Sequence, residues 1–311
     1  MPDIIGIDIG GTKCTLAKAD MNGQIMSEPI QFATTNVHAT LAEIYAIVDS
    51  LKPGDSPVFG IACGGPLDSA KGVVLSPPNL PGWDHIEIVN ELTSRFGGKG
   101  YLMNDANACV LAEWQFGAGK GARHMVYLTH GTGMGGGLIL NGQLYEGASG
   151  DAGEVGHIRL APQGPKGYNK DGSAEGFCSG AGIARLAGIR SREWEVEFDG
   201  SESAARARAG DLTTKDIFGY VRAGDPFCTR VFKESAAKLA TLLAYTIDIL
   251  NPEVIVLGGV FMRNADLFMA EIEPILAHEA LPGALKVCRI VPAGLSENVG
   301  DYAALAVANS L

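Results

Sequence analysis

Two glycine-rich turns in widely separated parts of the chain constrain its fold more than any other feature. The first, Asp8-Ile9-Gly10-Gly11-Thr12-Lys13, lies between the apolar run 4–7 and a second strand-like run, 14–19. The second, His130-Gly131-Thr132-Gly133-Met134-Gly135-Gly136-Gly137, lies between 125–129 and 138–140. Each reads as strand, tight turn, strand. Glycine tolerates positive φ and lets backbone N–H groups approach an anion closely, which is the chemistry of a phosphate cradle. Thr12 and Thr132 add hydroxyl donors. One such turn is a common hairpin, but two with the same local logic point to a duplicated fold that holds one nucleotide between its halves.

Two other glycine motifs fail their context. Gly131-x-Gly133-x-x-Gly136 matches a dinucleotide fingerprint, which requires a helix directly after the glycines. Here the chain continues into Leu138-Ile139-Leu140-Asn141-Gly142, a strand ending in an Asn-Gly hairpin turn. Gly117-Ala118-Gly119-Lys120 lacks the spacing of a P-loop.

Composition narrows the function classes. The 311 residues allow one large or two ordinary domains, with 46% hydrophobic and 19% charged residues, as in soluble globular proteins. A net charge of −11 argues against nucleic acid as a partner and gives no support to membrane binding. Phosphates must then be held by local dipoles and Mg²⁺. The six cysteines, at 14, 63, 109, 178, 228 and 288, show no CxxC spacing and read as small buried thiols in a reducing cytoplasm. Residues 1–3 lead straight into the first strand without a signal peptide, and no apolar run is long enough to span a bilayer.

Strand and helix patterns alternate. Strands are expected at 4–9, 14–19, 24–32, 58–63, 101–103, 125–140 (as a hairpin) and 254–257, with a turn at 21–23. Helices are expected at 41–51, 86–96, 107–116, 226–250, 266–279 and 301–310. Residues 142–182 look like ordered binding loops, 190–212 like an exposed excursion or lid, and Gly258-Gly259 like a further glycine turn. The alternation implies a two-domain α/β architecture with mixed sheets.

Several polar residues stand where such folds do chemistry. Asp105 follows a strand and precedes a helix, so it is either a base for a substrate hydroxyl or a helix N-cap. Asp8 ends the first strand beside a phosphate turn, where it either helps hold Mg²⁺ or caps the turn. Asn79, Glu154, His157 and Glu175 suit a polyhydroxylated ligand, with Trp83 as apolar support. The alternative for 77–83 is a rigid turn around a packed tryptophan.

The ordered set resembles a ROK-family sugar kinase. It comprises Asp-Ile-Gly-Gly-Thr-Lys at 8–13, Gly-Gly-Pro-Leu-Asp at 64–68, Pro-Asn-Leu-Pro-Gly-Trp at 78–83 and Asn-Asp-Ala-Asn at 104–107. Gly-Thr-Gly-Met-Gly-Gly-Gly at 131–137, Gly-Glu-Val-Gly-His at 153–157 and Leu-Gly-Gly at 257–259 complete it. The resemblance implies a two-domain, actin-like, hexokinase-type (ribonuclease H-like) ATPase fold with a cleft between domains. By it, residues 1–117 plus 298–311 form the smaller domain and 118–297 the larger. It implies ATP-dependent phosphorylation of a hexose or N-acylhexosamine at the 6-hydroxyl, with Asp105 as base. Asp8, Gly10, Gly11, Thr12, Lys13, Gly131, Thr132 and Gly133 would serve the Mg²⁺-ATP phosphates, and Gly258 and Gly259 the adenosine. Gly65, Asn79, Asn104, Glu154, His157 and Glu175 would serve the sugar. A cytoplasmic homodimer is expected.

One departure stands out. Most members carry the zinc motif Cys-x-Cys-Gly-x-x-Gly-Cys-x-Glu after the Gly-His pair. Aligning its last residue with Glu175 puts Lys166, Tyr168 and Ser173 at the cysteine positions, so no structural zinc is expected. The family also contains sugar-responsive repressors, but these carry an N-terminal helix-turn-helix domain, whereas here the first phosphate strand begins at Ile4. The alternative is a sugar- or nucleotide-binding sensor without catalysis.

Overall fold

Near-continuous apolar runs mark strands covered on both faces, and the first of them, β1 (Ile4–Ile9), is the centre of the amino-terminal sheet. The computed structural model of the chain describes residues 3–20 and 24–309, so the expected turn at 21–23 lies outside the described residues. β1 pairs antiparallel with β2 (Lys13–Ala19), which pairs with β3 (Ile30–Ala33). Helix α1 (Val37–Leu51) follows, then β4 (Val58–Cys63), which runs parallel to β1. A small hairpin, β5 (Leu67–Asp68) and β6 (Val73–Val74), precedes α2 (Ile88–Phe96). β7 (Lys99–Asn104) runs parallel to β4 and feeds α3 (Asp105–Gln115). The sheet order is β3-β2-β1-β4-β7.

The plan then repeats. β8 (Met125–Leu128), β9 (Gly136–Leu140) and β10 (Gln143–Leu144) belong to a second sheet, of order β10-β9-β8-β13-β14. Between β10 and β13 (Val254–Leu257) come the hairpin β11 (Lys166–Gly167) and β12 (Lys170–Asp171), then five helices. These are α4 (Ala174–Cys178), α5 (Gly180–Glu193), α6 (Glu202–Ala209), α7 (Thr214–Arg222) and α8 (Pro226–Leu250). Helices α9 (Gly259–Arg263), α10 (Ala265–Glu279) and α11 (Pro282–Val287) follow β13 and lead to β14 (Arg289–Pro292). Helix α12 (Val299–Asn309) closes the described chain. Both sheets thus have three meander strands followed by two parallel ones, the duplication that the two glycine turns imply.

Two compact units result. The first comprises Met1–Gly121, Gly137–Gly150 and Gly294–Leu311, the second Ala122–Gly136 and Asp151–Ala293. In the first, α12 presents a run of small buried residues, Ala303 to Ala308, to β1, β4 and α3. In the second, Phe218, Phe232, Phe261 and Phe268 stack with ring centroids 5.1–5.6 Å apart.

The structure corrects several expected elements. The strand expected at 24–32 is only an isolated bridge at Ile25 followed by β3. Helix α1 starts at Val37 because Asn36 caps it, its side chain accepting from the Ala39 N–H. Segment 190–212 is no exposed excursion: it holds the end of α5 and all of α6, which packs with Ala204 and Ala207 buried. Its buried face is alanine, which carries little hydrophobic contrast. Helix α7 begins at a Thr213/Asp216 capping box, and α11 and β14 are short elements that the patterns at 280–292 do not announce. Gly258-Gly259 opens α9 instead of joining two strands.

Glu113 ties the first unit where the chain leaves and re-enters it. Its fully buried carboxylate accepts from the N–H groups of Ala118 (2.8 Å), Gly294 (3.0 Å) and Leu295 (2.9 Å). Glu113→Ala removes the acceptor of three part-buried donors, a loss of about 3 kcal/mol. The expected fall in Tm is roughly 5–10 °C, with Glu113→Gln between the two. A thermal melt of Glu113→Ala that matches wild type would contradict this role.

Candidate active site

The register of the first sheet gathers the residues of unit 1. Ile9 pairs with Cys63, and Cys63 pairs with Asn104. Three parallel strands therefore end in step, and the chain leaves them as Gly10, Gly64 and Asp105 at the carboxyl edge where open α/β sheets bind ligands.

At that edge Asn104, not Asp105, is the N-cap of α3. Its Oδ1 accepts from the N–H groups of Ala106 (2.9 Å) and Asn107 (3.4 Å). The Asn104 Nδ2 lies against the next loop, where a Cβ built on Gly65 would be 3.6 Å from it. Asp105 is the first helical residue, and its Oδ1 accepts from the Ala106 N–H at 2.8 Å. Desolvation raises the Asp105 carboxyl above the ordinary range, while the bonds from Ala106 and Asn104 pull it down. Asp105 as a whole residue remains exposed.

Asp8 shares this region. Burial, then the negative charges of Asp105 and Asp301, push its carboxyl up to about 7, with Lys13 opposing. Asp301, in the first turn of α12, is raised by burial and lowered by Lys13. Sequence reasoning placed Asp301 only at a helix start; Asn298-Val-Gly-Asp301 carries no distinctive signal. Three carboxylates against one lysine leave an excess of negative charge that a divalent cation would offset. Among the described residues no group of three or more His, Cys, Asp or Glu side chains is arranged to hold a metal alone. The excess charge of Asp8, Asp105 and Asp301 fits a Mg²⁺ that takes most of its ligands from water and phosphate.

The first glycine turn is pinned from outside. Thr34 donates from Oγ1 to the Gly10 carbonyl (2.6 Å) and from its N–H to the Thr12 carbonyl (3.0 Å). Gly11 packs directly on Asn79: a Cβ there would come 2.5 Å from the Asn79 carbonyl oxygen. This contact joins an expected sugar residue to an expected phosphate turn. Trp83 is fully buried and so belongs to the core, as the packed-turn reading had it, with no face left for a ligand.

Unit 2 gathers the remaining candidates. The carbonyls of Gly131 and Thr132 accept from the N–H groups of Gly180 (2.7 Å) and Ala181 (3.4 Å) at the start of α5. The Met134 N–H donates to Glu175 Oε2 at 3.1 Å, so Glu175 anchors the turn from α4. Gly259, at φ 53°, sits where any Cβ would fall 2.1 Å from the His130 carbonyl oxygen, which brings Gly258-Gly259 against the same turn. Beneath it, His130 is buried, its Nε2 2.5 Å from the Cys178 carbonyl and its ring edge-on to Phe268. Burial lowers His130 to about 4, so the ring is neutral and supports the turn; nothing in its surrounding sequence marks that role. Glu154 and His157 flank a single 3₁₀ turn, Val155–His157, and His157 carries Lys170 against its ring. Lys166 and Tyr168 lie on the β11–β12 hairpin, and Ser173 is the N-cap of α4.

Unit 1 thus sets a carboxyl whose proton affinity burial raises close to a glycine turn, and the relatives of the chain define its class. The ROK family profile matches residues 4–310. A glucokinase of Thermotoga maritima is 30% identical over 312 residues, covering 98% of this chain and 96% of its own. An N-acetylmannosamine kinase of Citrobacter koseri is 31% identical over 278 residues, covering 88% and 89%. The crystal structure of a ROK family glucokinase from Streptomyces griseus, in complex with glucose and AMPPNP, matches with a TM-score of 0.75 at 30% identity, covering 97% of each chain. The chain belongs to the ROK family. By these relatives it is a sugar kinase, of the two-domain actin-like ATPase fold.

The Asp8 carboxyl has a stability consequence. Its folded pKa is raised to about 7, so the folded chain binds this proton more tightly than the unfolded one. That contribution is complete below the ordinary carboxylate range and is lost as pH rises toward neutrality. Asp8→Asn is expected to raise Tm by about 5 °C at pH 8, without Mg²⁺ or nucleotide, and by much less at pH 5. An equal gap at both pH values would contradict the shift.

Proposed function

We propose that this protein transfers the γ-phosphoryl group of ATP to the 6-hydroxyl of a hexose or N-acylhexosamine, with Asp105 as the general base. The observation that carries this reading is the position of Asp105. Its neighbour Asn104 takes the capping duty, which leaves the Asp105 carboxylate at the sheet's carboxyl edge with a raised proton affinity. A base so tuned accepts a hydroxyl proton better than an ordinary aspartate.

In the reaction the sugar oxygen loses its proton to Asp105, forms a bond to the γ-phosphorus, and the bond from that phosphorus to the bridging oxygen breaks to release ADP. The N–H groups of Gly11, Thr12, Gly131, Thr132 and Gly133 and the hydroxyls of Thr12 and Thr132 bind phosphate oxygens, with Lys13 as a nearby cation, while the Gly10 N–H closes the turn on the Lys13 carbonyl. Gly258 and Gly259 border the adenosine. Asp8 holds Mg²⁺ or its waters, and the metal supplies charge neutralisation of the triphosphate. Gly65, Asn79, Asn104, Glu154, His157 and Glu175 orient the sugar. The relatives that phosphorylate glucose or N-acetylmannosamine support the substrate class.

The six cysteines are free, which suits a reducing compartment such as the cytoplasm. Exposed Tyr245, Ile249, Leu281 and Val287 supply apolar surface for a homodimer.

Asp105→Asn is expected to lower kcat by ~10²-fold or more while calorimetry shows sugar affinity nearly unchanged. Carbon NMR of the wild-type product should place the phosphate at C6. Wild-type turnover in the variant would remove Asp105 as the base.

A further inference from the structure

His157 is held from behind by a cation. Lys170 Nζ lies 2.9 Å from His157 Nδ1 and 2.7 Å from the His157 carbonyl oxygen. An ammonium offers three donors and no acceptor. A ring nitrogen bonded to it must present its lone pair, so Nδ1 is unprotonated and the proton of the neutral imidazole sits on Nε2. The second bond fastens the same ammonium to the histidine's own backbone, which limits rotation of the ring.

The clamp itself is built into the fold. Lys170 starts β12, paired with Gly167 across a two-residue turn. Tyr168 and Asn169 take φ values of 45° and 61° there, as tight hairpins require. Tyr168 turns its ring edge-to-face against His157, with centroids 6.0 Å apart. Ser173 joins this hairpin to α4, donating to the Gly167 carbonyl (3.3 Å) and accepting from the Gly176 N–H (3.1 Å). Arg159 donates to the Asp171 carbonyl at 2.9 Å. The hairpin is thereby attached to the helix that carries Glu175, so Lys170 is fixed relative to the two residues expected to meet the sugar.

We propose that Lys170 is a positioning residue that locks His157 in its Nε2–H tautomer and aims that N–H at an acceptor oxygen of the sugar. The inference rests on the reading of His157 as a sugar contact, and it adds the donor polarity of that contact. A ring in the other tautomer would present a lone pair and would pair only with a hydroxyl proton, so the clamp sets which hydrogen-bonding partner the histidine selects.

The test uses the full chain with ¹⁵N-labelled histidine at mildly alkaline pH, the His157 signals being assigned by their loss in His157→Gln. Wild type should show the proton on Nε2. Lys170→Met should shift the ring toward a mixture of tautomers and raise KM for the sugar about tenfold, with KM for ATP within about twofold. Lys170→Arg, which restores a donor, should recover most of the sugar affinity. A wild-type ring protonated on Nδ1, or an unchanged tautomer in Lys170→Met, would overturn the inference. The wild-type spectrum decides even if Lys170→Met does not fold. His157→Gln with an unchanged sugar KM would instead remove the sugar contact, leaving the tautomer result to stand or fall by itself.

Discussion

Burial of the Asp8 carboxyl, close to the negative charges of Asp105 and Asp301, is the constraint around which unit 1 is organised. The parallel register of β1, β4 and β7 brings Asp8 and Asp105 to one edge of the sheet, and α12 adds Asp301. Such a grouping opposes folding at neutral pH, and Lys13 offsets it only in part. A protein retains it where binding reverses the sign: a divalent cation with its phosphates turns the negative excess into affinity. Desolvation also raises the proton affinity of Asp105, as the proposed role of general base requires. Structure and chemistry in this unit thus follow from one feature, three strands that end in step.

Unit 2 solves a different electrostatic problem. Its glycine turn offers backbone dipoles, with no cluster of cationic side chains, as suits a chain of net charge −11. Dipoles act only if they are held in place. The turn's carbonyls are bound by the start of α5, Glu175 anchors Met134, and the neutral His130 fills the space below against Phe268. Glu175 therefore links the turn to the α4 and β11–β12 region that carries the expected sugar residues. In that region hydrogen bonds from Ser173, Arg159 and Lys170 order the loops around His157.

Much of this was legible in the residues. The two glycine turns announce the repeated sheet, and β4, α8 and β13 fall where apolar patterns put them, because long runs such as 226–250 have strong periodicity. What escaped depends on partners distant in sequence. Asp105 read as either base or cap, and only the end of β7 decides that Asn104 does the capping. Alanine faces hid α6 inside a segment that looked polar. Asp301 and Glu113 act through contacts more than a hundred residues away along the chain, and Lys170 reaches His157 only because a two-residue turn reverses the strand. Trp83 was open to two readings, apolar support for a sugar or a packed turn, and packing assigned it to the core.

The central claim is that these residues perform phosphoryl transfer to a sugar. Its most direct test is ADP release from Mg²⁺-ATP by the full chain across a panel of hexoses and N-acylhexosamines. The account predicts turnover that depends on one sugar or a few close epimers and far exceeds hydrolysis with water alone. Measurable sugar binding with no ADP release across the panel would contradict it and identify a sensor that keeps the fold without the chemistry.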